Sequence, residues 1–294
     1  MEQQPHEMRE LYERYKPLLF TLAYQITGSA VDAEDAVQDV FVKLHDLDGS
    51  HIGSPKAYLC KMVTNRALDL IKSARKRREL YFGTWLPEPL LTPSLDLSEA
   101  VAREELLSYA VLVLLERLSP SERVVFVLRE ALGMDYPTIA KITDKGEPNC
   151  RKLFSRAKLK LEKQGRELDH GVLVGEEWVR RFIEVLMKDD MEALLPLLAG
   201  DVTALSDGGG KVPTAVNPIE QPRNVARYLL GLMRKISSSQ NRWRLRLLPL
   251  NGHVGIAVWE LDTIDSVVLM DVANDVIKNL YIVRNPEKLR HLKG

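Results

Sequence analysis

In the C-terminal third, the side chains best suited to chemistry are the carboxylates Asp201, Asp262, Asp265 and Asp271 and the imidazole of His253. A carboxylate held in an apolar site can serve as a general base, and an imidazole can partner it. No acid–base pair at a diagnostic spacing can be read among them, and His253, beside the turn glycine Gly252, reads as a surface residue. The run Asp207-Gly208-Gly209-Gly210-Lys211 lacks the spacing of a phosphate-binding loop, and no Gly-Lys-Ser/Thr follows it. It reads instead as a sharp turn, where glycine supplies a positive φ without steric cost. Cys60 and Cys150 lie far apart, each inside a helical pattern, and no Cys-x-x-Cys or histidine-rich spacing appears. Both read as buried thiols in a reducing compartment, and neither a metal nor a cofactor is expected.

Recognition chemistry is concentrated in the first half. The chain has 41 basic and 41 acidic residues and a formal net charge of zero, but the charges come in blocks, and local charge decides nucleic-acid binding. Asp32, Asp35, Gln38 and Asp39 form the polar face of one segment, a surface able to dock a basic protein. Asn65, Arg66, Asp69, Lys72, Lys76 and Arg77 lie along one side of the next, which ends in a basic cluster. With Tyr58 and the loop 46–53 supplying pockets or stacking surfaces, this side suits single-stranded nucleic acid. Asn149, Arg151, Lys152, Ser155 and Arg156 are exposed on a third segment. From the major groove they can reach bases and phosphates, while the basic residues further along suit the phosphate backbone. Each block alone also reads as a solvated helix face; their combination carries the reading.

The elements that position these residues follow from periodicity. A chain of 294 residues with 45% hydrophobic content has material for two or three domains. Leu11, Tyr15, Leu18, Leu19, Leu22, Ala23 and Ile26 repeat with helical spacing, and Gly28 can end that helix. Ala33, Ala36, Val37, Val40, Phe41 and Leu44 mark a second helix. A third follows the cap Ser54 and Pro55, burying Leu59, Val63, Ala67, Leu70, Ile71 and Ala74. Pro87, Pro89 and Pro93 with Trp85 predict a stiff, extended linker. Ser119-Pro120-Ser121-Glu122 is a capping box with proline at N1. Residues 134–163 then predict a helix–turn–helix with Gly146 in the turn. Beyond about Gly171 come helices with a core stripe of Trp178, Phe182, Ile183, Leu186 and Met187, and a helix at about 223–236. Strands at 243–250, 253–261, 266–273 and 276–283 follow, with Asn251-Gly252 and Asn274-Asp275 as hairpin turns. Helices followed by a strand meander predict a separate α+β domain. No apolar run approaches a membrane span and no signal peptide is evident, so a cytoplasmic protein is expected.

In order and spacing, residues from Arg9 to about Arg166 resemble a bacterial RNA polymerase sigma factor of the extracytoplasmic-function (ECF) type. The resemblance implies that Asp32, Asp35, Gln38 and Asp39 grip the clamp of core RNA polymerase. It implies that the 54–78 helix melts the promoter and reads its minus-ten element, and that the segment from Leu118 through the helix–turn–helix reads the minus-thirty-five element. Trp85-Leu86-Pro87-Glu88-Pro89-Leu90, Asp207–Lys211 and Asn285-Pro286-Glu287-Lys288-Leu289 resemble the signature pieces of a subgroup with a fused C-terminal SnoaL-like domain, thought to regulate the sigma module in cis. The expected fold is two all-α sigma domains, the second a helix–turn–helix, followed by a cone-shaped α+β SnoaL-like domain. The expected boundaries are 1–83, a linker at 84–103, 104–168 and 172–294. The expected partners are core polymerase, through its clamp and flap, and promoter DNA. The free chain is expected to be a monomer that touches no membrane and is not an enzyme. A small-molecule ligand in the C-terminal domain stays open. The alternatives are a ligand-binding or catalytic SnoaL-like domain fused to a helix–turn–helix regulator, and a ligand-responsive repressor, which would not need the 32–41 segment.

Overall fold

The computed structural model describes residues 3–45, 54–78, 81–92, 108–162, 175–238 and 243–292, with side chains from residue 8 onward in the first helix and up to residue 74 in the third. The chain forms two compact units.

The first unit is helical. Helices α1 (Gln3–Thr27), α2 (Ala30–His45) and α3 (Pro55–Arg78) pack on one another. Gly28, at φ +71°, ends α1 with its N–H on the Tyr24 carbonyl, as its position predicts. Leu22, Ala33, Val37, Leu59 and Val63 are among the buried side chains; Leu70 is only half-buried.

Three further helices, α5 (Pro120–Glu130), α6 (Tyr136–Thr143) and α7 (Glu147–Glu162), belong to the same unit, after a short α4 (Tyr109–Leu115). The capping box that opens α5 is complete: the Ser119 N–H donates to Glu122 Oε2 at 2.8 Å, and the Glu122 N–H reaches Ser119 Oγ. The turn between α6 and α7 carries Gly146, as expected, and its left-handed residue is Asp144, at φ 52°.

The helical segments expected as separate domains pack together. Arg123 of α5, 1% exposed, donates through Nε to the Gln25 carbonyl near the end of α1 and pairs through Nη1 with Glu116. Lys61 of α3 bonds Asp144, the residue ending α6, at 2.6 Å.

The second unit combines residues 80–94, 108–113 and 169–294. Helices α8 (Glu176–Met187) and α9 (Met191–Leu194) and a single 3-10 turn (Leu195–Leu197) lead into β1 (Leu198–Asp207) and β2 (Ile219–Glu220). Helix α10 (Pro222–Ser237), strands β3 (Trp243–Leu250), β4 (His253–Glu260), β5 (Thr263–Ala273) and β6 (Val276–Val283), and the short α11 (Pro286–Leu289) complete it. The sheet order is β2-β1-β6-β5-β4-β3, with β1 and β6 parallel and the other neighbours antiparallel. The α+β class and the four-strand meander are as expected. Both Asn-initiated turns have positive φ at their two central residues (50° and 77°; 52° and 61°), as type I′ hairpins require. Strands β1 and β2 are additions.

Alternation along the strands gives the sheet two apolar faces. Ile256, Met270, Val272, Leu280 and Ile282 pack with α8 and α10. Ala257, Val267, Leu269, Tyr281 and Val283 pack with Leu86, Tyr109 and Leu289. Met187, expected in the core, is 62% exposed because it falls at the end of α8.

Candidate nucleic-acid interface and linker clasp

On α2, Asp35 and Gln38 are exposed, while Asp32 and Asp39 are half-buried. The Asp32 N–H donates to Ser29 Oγ at 3.1 Å, so Ser29 serves as the first-turn acceptor. Asp39 Oδ2 lies 2.6 Å from Arg66 Nε. A residue expected on the polymerase-docking face and one expected on the DNA-reading face are therefore ion-paired with each other. On α3, Asn65, Asp69 and Lys72 are exposed, and Lys72 stands 3.7 Å from Asp69. The side chains of Lys76 and Arg77, and the loop 46–53, lie outside the described residues.

All the α7 candidates, Asn149, Arg151, Lys152, Ser155 and Arg156, are exposed, while Cys150, Ala157 and Leu161 face the core. Arg151 is partly engaged: its guanidinium lies 4.3 Å from the Tyr136 ring centroid, and Nη2 stands 3.4 Å from Glu147. Tyr136 also meets Phe154 edge-on, so the first helix of the motif steadies the second. Lys160 binds Glu122 at 2.7 Å. Burial works to raise the Glu122 carboxyl, but the bonds from Lys160 and Ser119 outweigh it and hold the group below the ordinary carboxylate range.

The segment expected as a linker spacer is built into the second unit. Leu86, Pro87, Glu88 and Pro89 are buried, and Trp85 is half-buried. Buried proline leaves no N–H to satisfy, and several of the other backbone groups have partners. Leu91 bridges Leu250, the Leu90 N–H donates to Asn251 Oδ1 at 2.9 Å, and the Thr92 N–H donates to the Pro249 carbonyl at 3.0 Å. The Pro87 carbonyl accepts from Tyr109 Oη at 2.7 Å, and the Pro89 carbonyl accepts from His291 Nε2 at 2.6 Å.

At the centre is Asp207, fully buried. Its Oδ2 accepts from the Leu86 N–H at 2.9 Å and from Lys288 Nζ at 2.7 Å; its Oδ1 accepts from Tyr81 Oη at 2.6 Å and from the Gly209 N–H at 3.0 Å. Lys288 also donates to the Leu86 carbonyl and lies 3.9 Å from the Trp85 ring centroid. The backbone N–H groups of Arg284 and Asn285 donate to the Asp207 carbonyl at 2.7 and 2.9 Å, and Asn285 Nδ2 donates to Tyr81 Oη at 2.9 Å. Burial and the Asp207 carboxylate both push the Tyr81 phenol up, so it stays a donor. Lys211 pairs with Glu287. The three segments singled out in the sequence thus converge on one carboxylate.

The glycines of the turn are needed for this closeness. A Cβ at Gly208 would stand 2.5 Å from the Val212 carbonyl oxygen, and at Gly209, φ +62°, it would run into the Asn285 side chain. Tyr81, Arg284, Tyr109 and His291 join the clasp without any signal in the sequence that marks them.

The candidate acids are engaged. Asp201 lies 3.2 Å from Lys278, Asp262 bonds Arg244, Asp265 takes two bonds from Arg284, and Asp271 accepts from Asn279 at 3.0 Å. His253 is not a surface residue: it is half-buried and its Nδ1 is enclosed without a hydrogen-bond partner. It sits at the first position of β4, where the sheet covers it; burial pushes its pKa below the ordinary imidazole value, with Asp271 opposing. Among the described residues no cluster of three or more His, Cys, Asp or Glu could hold a metal, and no helix is long and apolar enough to cross a membrane.

Residues 11–77 match the model for Sigma-70 region 2, and residues 108–161 match that for Sigma-70 region 4. Over 293 residues the chain is 31% identical to the ECF RNA polymerase sigma factor SigJ of Mycobacterium tuberculosis (strain ATCC 25618 / H37Rv), covering 94% of this chain and 91% of that protein. It is also 31% identical over 199 residues to the probable ECF RNA polymerase sigma factor SigI of the same species, covering 66% and 69% of the two chains. The crystal structure of M. tuberculosis SigJ superposes with a TM-score of 0.76 at 28% identity, over 95% of this chain and 97% of that one.

Proposed function

The chain belongs to the ECF family of RNA polymerase sigma factors, and from that premise we propose that its C-terminal unit governs, in cis, how the two promoter-reading halves are presented. Sigma factors direct promoter-specific transcription initiation with core polymerase and are not themselves enzymes.

In this reading Asp32, Asp35, Gln38 and Asp39 dock the polymerase clamp. Asn65, Arg66, Asp69, Lys72, Lys76 and Arg77, with the loop 46–53, capture the minus-ten element and hold a base out of the stack, which costs a few kcal/mol that pocket and backbone contacts must offset. Asn149, Arg151, Lys152, Ser155 and Arg156 read the minus-thirty-five element. The two elements stand about 25 base pairs apart, roughly 85 Å. In this reading the contacts Arg123–Gln25 and Lys61–Asp144 between the halves break on polymerase, so that the halves reach both elements. Separately, the Asp39–Arg66 pair opens to free both faces of its half.

The observation that carries cis control is that the chain joining the halves is held at both ends by one unit. Tyr81–Thr92 is bound around Asp207 and Asn251, and Tyr109 is bound to Pro87, its ring 5.4 Å from that of Tyr281 and tilted 60° to it. With the clasp shut, the halves leave from two fixed points. With it open, Tyr81–Thr92 is no longer fixed around Asp207 and Asn251, and the avidity of two linked sites falls.

The test is transcription from a promoter selected with this protein and core polymerase. Asp207→Ala is expected to alter transcription while leaving core binding intact. Core binding absent in the wild-type protein would remove the sigma reading; unchanged transcription in the variant would remove the cis reading alone.

A further inference from the structure

Helix α7 opens on an acid. The Glu147 side chain is 42% exposed at the first position of the helix, while Lys152 and Arg156 are exposed further along. The other acid of the helix, Glu162, ends it beside Lys158 at 3.9 Å. A carboxylate on a surface that approaches phosphates is repelled unless it accepts a hydrogen bond there. In a helix–turn–helix the first residues of the second helix are the ones that reach base edges. The donors they meet in the major groove are the amino groups of cytosine and adenine.

Glu147 does not stand alone. One turn on, Arg151 Nη2 lies 3.4 Å from Glu147 Oε2, on the same side of the helix. This single long bond leaves most of the guanidinium donors and most of the carboxylate acceptor sites open. The guanidinium is also seated on Tyr136, 4.3 Å from the ring centroid. Tyr136 in turn meets Phe154 edge-on and lies 5.0 Å from the guanidinium of Arg129, which is itself tied to the Met134 carbonyl at 2.8 Å. Glu147 and Arg151 are therefore held side by side on a packed base.

A guanidinium beside a carboxylate offers two donors and then an acceptor. The major-groove edge of a G·C pair is the complement, since guanine N7 and O6 accept and cytosine N4 donates. An A·T pair opposes it at two points. The adenine amino group would face a guanidinium donor, and thymine O4 would face the carboxylate.

We propose that Glu147 and Arg151 together read one G·C base pair of the minus-thirty-five element. Glu147 accepts from the cytosine amino group, Arg151 donates to the guanine, and Tyr136 is the positioning residue for Arg151. The proposal rests on the promoter-reading role proposed for α7 and names the base pair that this role selects. A negative charge in the first turn also suits the helix dipole. That structural role needs the charge, whereas base reading needs the acceptor, and the two separate in the choice of variant.

The test is selection from duplex DNA with the minus-thirty-five positions randomised, bound by the full-length chain with core polymerase. The wild-type protein is expected to prefer G·C over A·T at one position by at least about tenfold. Glu147→Met keeps the side-chain length and removes the acceptor, and is expected to lower that preference at least about fivefold at that position alone. Glu147→Gln keeps an acceptor without the charge and is expected to fall between the wild type and Glu147→Met. Tyr136→Leu is expected to lower the same preference about threefold, and Tyr136→Phe, which keeps the ring, to stay within about twofold of wild type. Far-ultraviolet circular dichroism confirms that each variant is folded. Preference unchanged in Glu147→Met, a fall spread over every position, or Glu147→Gln equal to Glu147→Met overturns the role of Glu147. Tyr136→Leu equal to Tyr136→Phe overturns the positioning by Tyr136. A wild-type selection with no preference at any minus-thirty-five position removes the promoter-reading role of α7 and this pair with it. Preferences that persist but include no G·C position overturn the pair and leave that role standing.

Discussion

At the scale of single residues, Asp207 and Lys288 decide the most. Both are nearly or fully buried and bonded to each other. Removing one partner leaves the other as an uncompensated buried charge, a loss of about 3–5 kcal/mol, whereas removing both costs less than the sum. Asp207→Ala and Lys288→Met should each lower the stability of the C-terminal unit by that order, and the double variant should recover part of it. Tryptophan emission during urea unfolding reads this selectively, because Trp85, Trp178, Trp243 and Trp259 all belong to that unit. His253 adds a pH dependence of known sign. Its folded-state pKa lies below the ordinary value of 6.5, so protonation favours the unfolded chain. The C-terminal unit should lose stability as pH falls below about 6.5, and His253→Gln should flatten that decline. An equal decline in the variant would assign it to other groups.

At the scale of elements, the promoter-reading role proposed for α7 makes its own prediction. Lys152 and Arg156 are exposed. Replacing either with Ala should weaken promoter binding and lower the salt slope by about one for each phosphate the helix no longer neutralises. Circular dichroism should show the fold intact, and core binding should not change. This helix and its partner are legible in the sequence because capping box, apolar period and basic face agree over a short stretch. So are the hairpins, since Asn251-Gly252 and Asn274-Asp275 are local signals for a local turn. Strand β1 is not. Its alternation runs through Val202, Ala204 and Ser206, too weakly apolar to mark a strand, and its pairing with β6 is parallel and distant in sequence. The left-handed residue between α6 and α7 is Asp144, a residue type that tolerates the region in a tight turn. Leu261, at φ 55° between β4 and β5, carries no turn signal at all. The proline-rich stretch reads locally as a spacer. Only the distant Asp207, Asn251 and Lys288 turn it into a bound segment. The three motifs can be named from the sequence, but the carboxylate on which they meet cannot be singled out, because convergence is a property of the sheet.

At the scale of the whole molecule, the proposed function divides labour between the two units. In that reading the N-terminal unit carries the polymerase-docking and DNA-reading faces. The C-terminal unit holds the chain that connects them. The two properties are separable because no clasp residue belongs to α2, α3 or α7. The most direct measurement is in vitro transcription with core polymerase, run beside a core pull-down, for the wild-type protein and Asp207→Ala. Promoter-specific transcription is predicted to fall at least about fivefold, the decrease expected when a fixed pair of sites becomes a flexible tether, with core affinity unchanged within about twofold. Transcription equal to wild type, or a parallel fall in core binding, would contradict the clasp as the element that governs the promoter-reading halves.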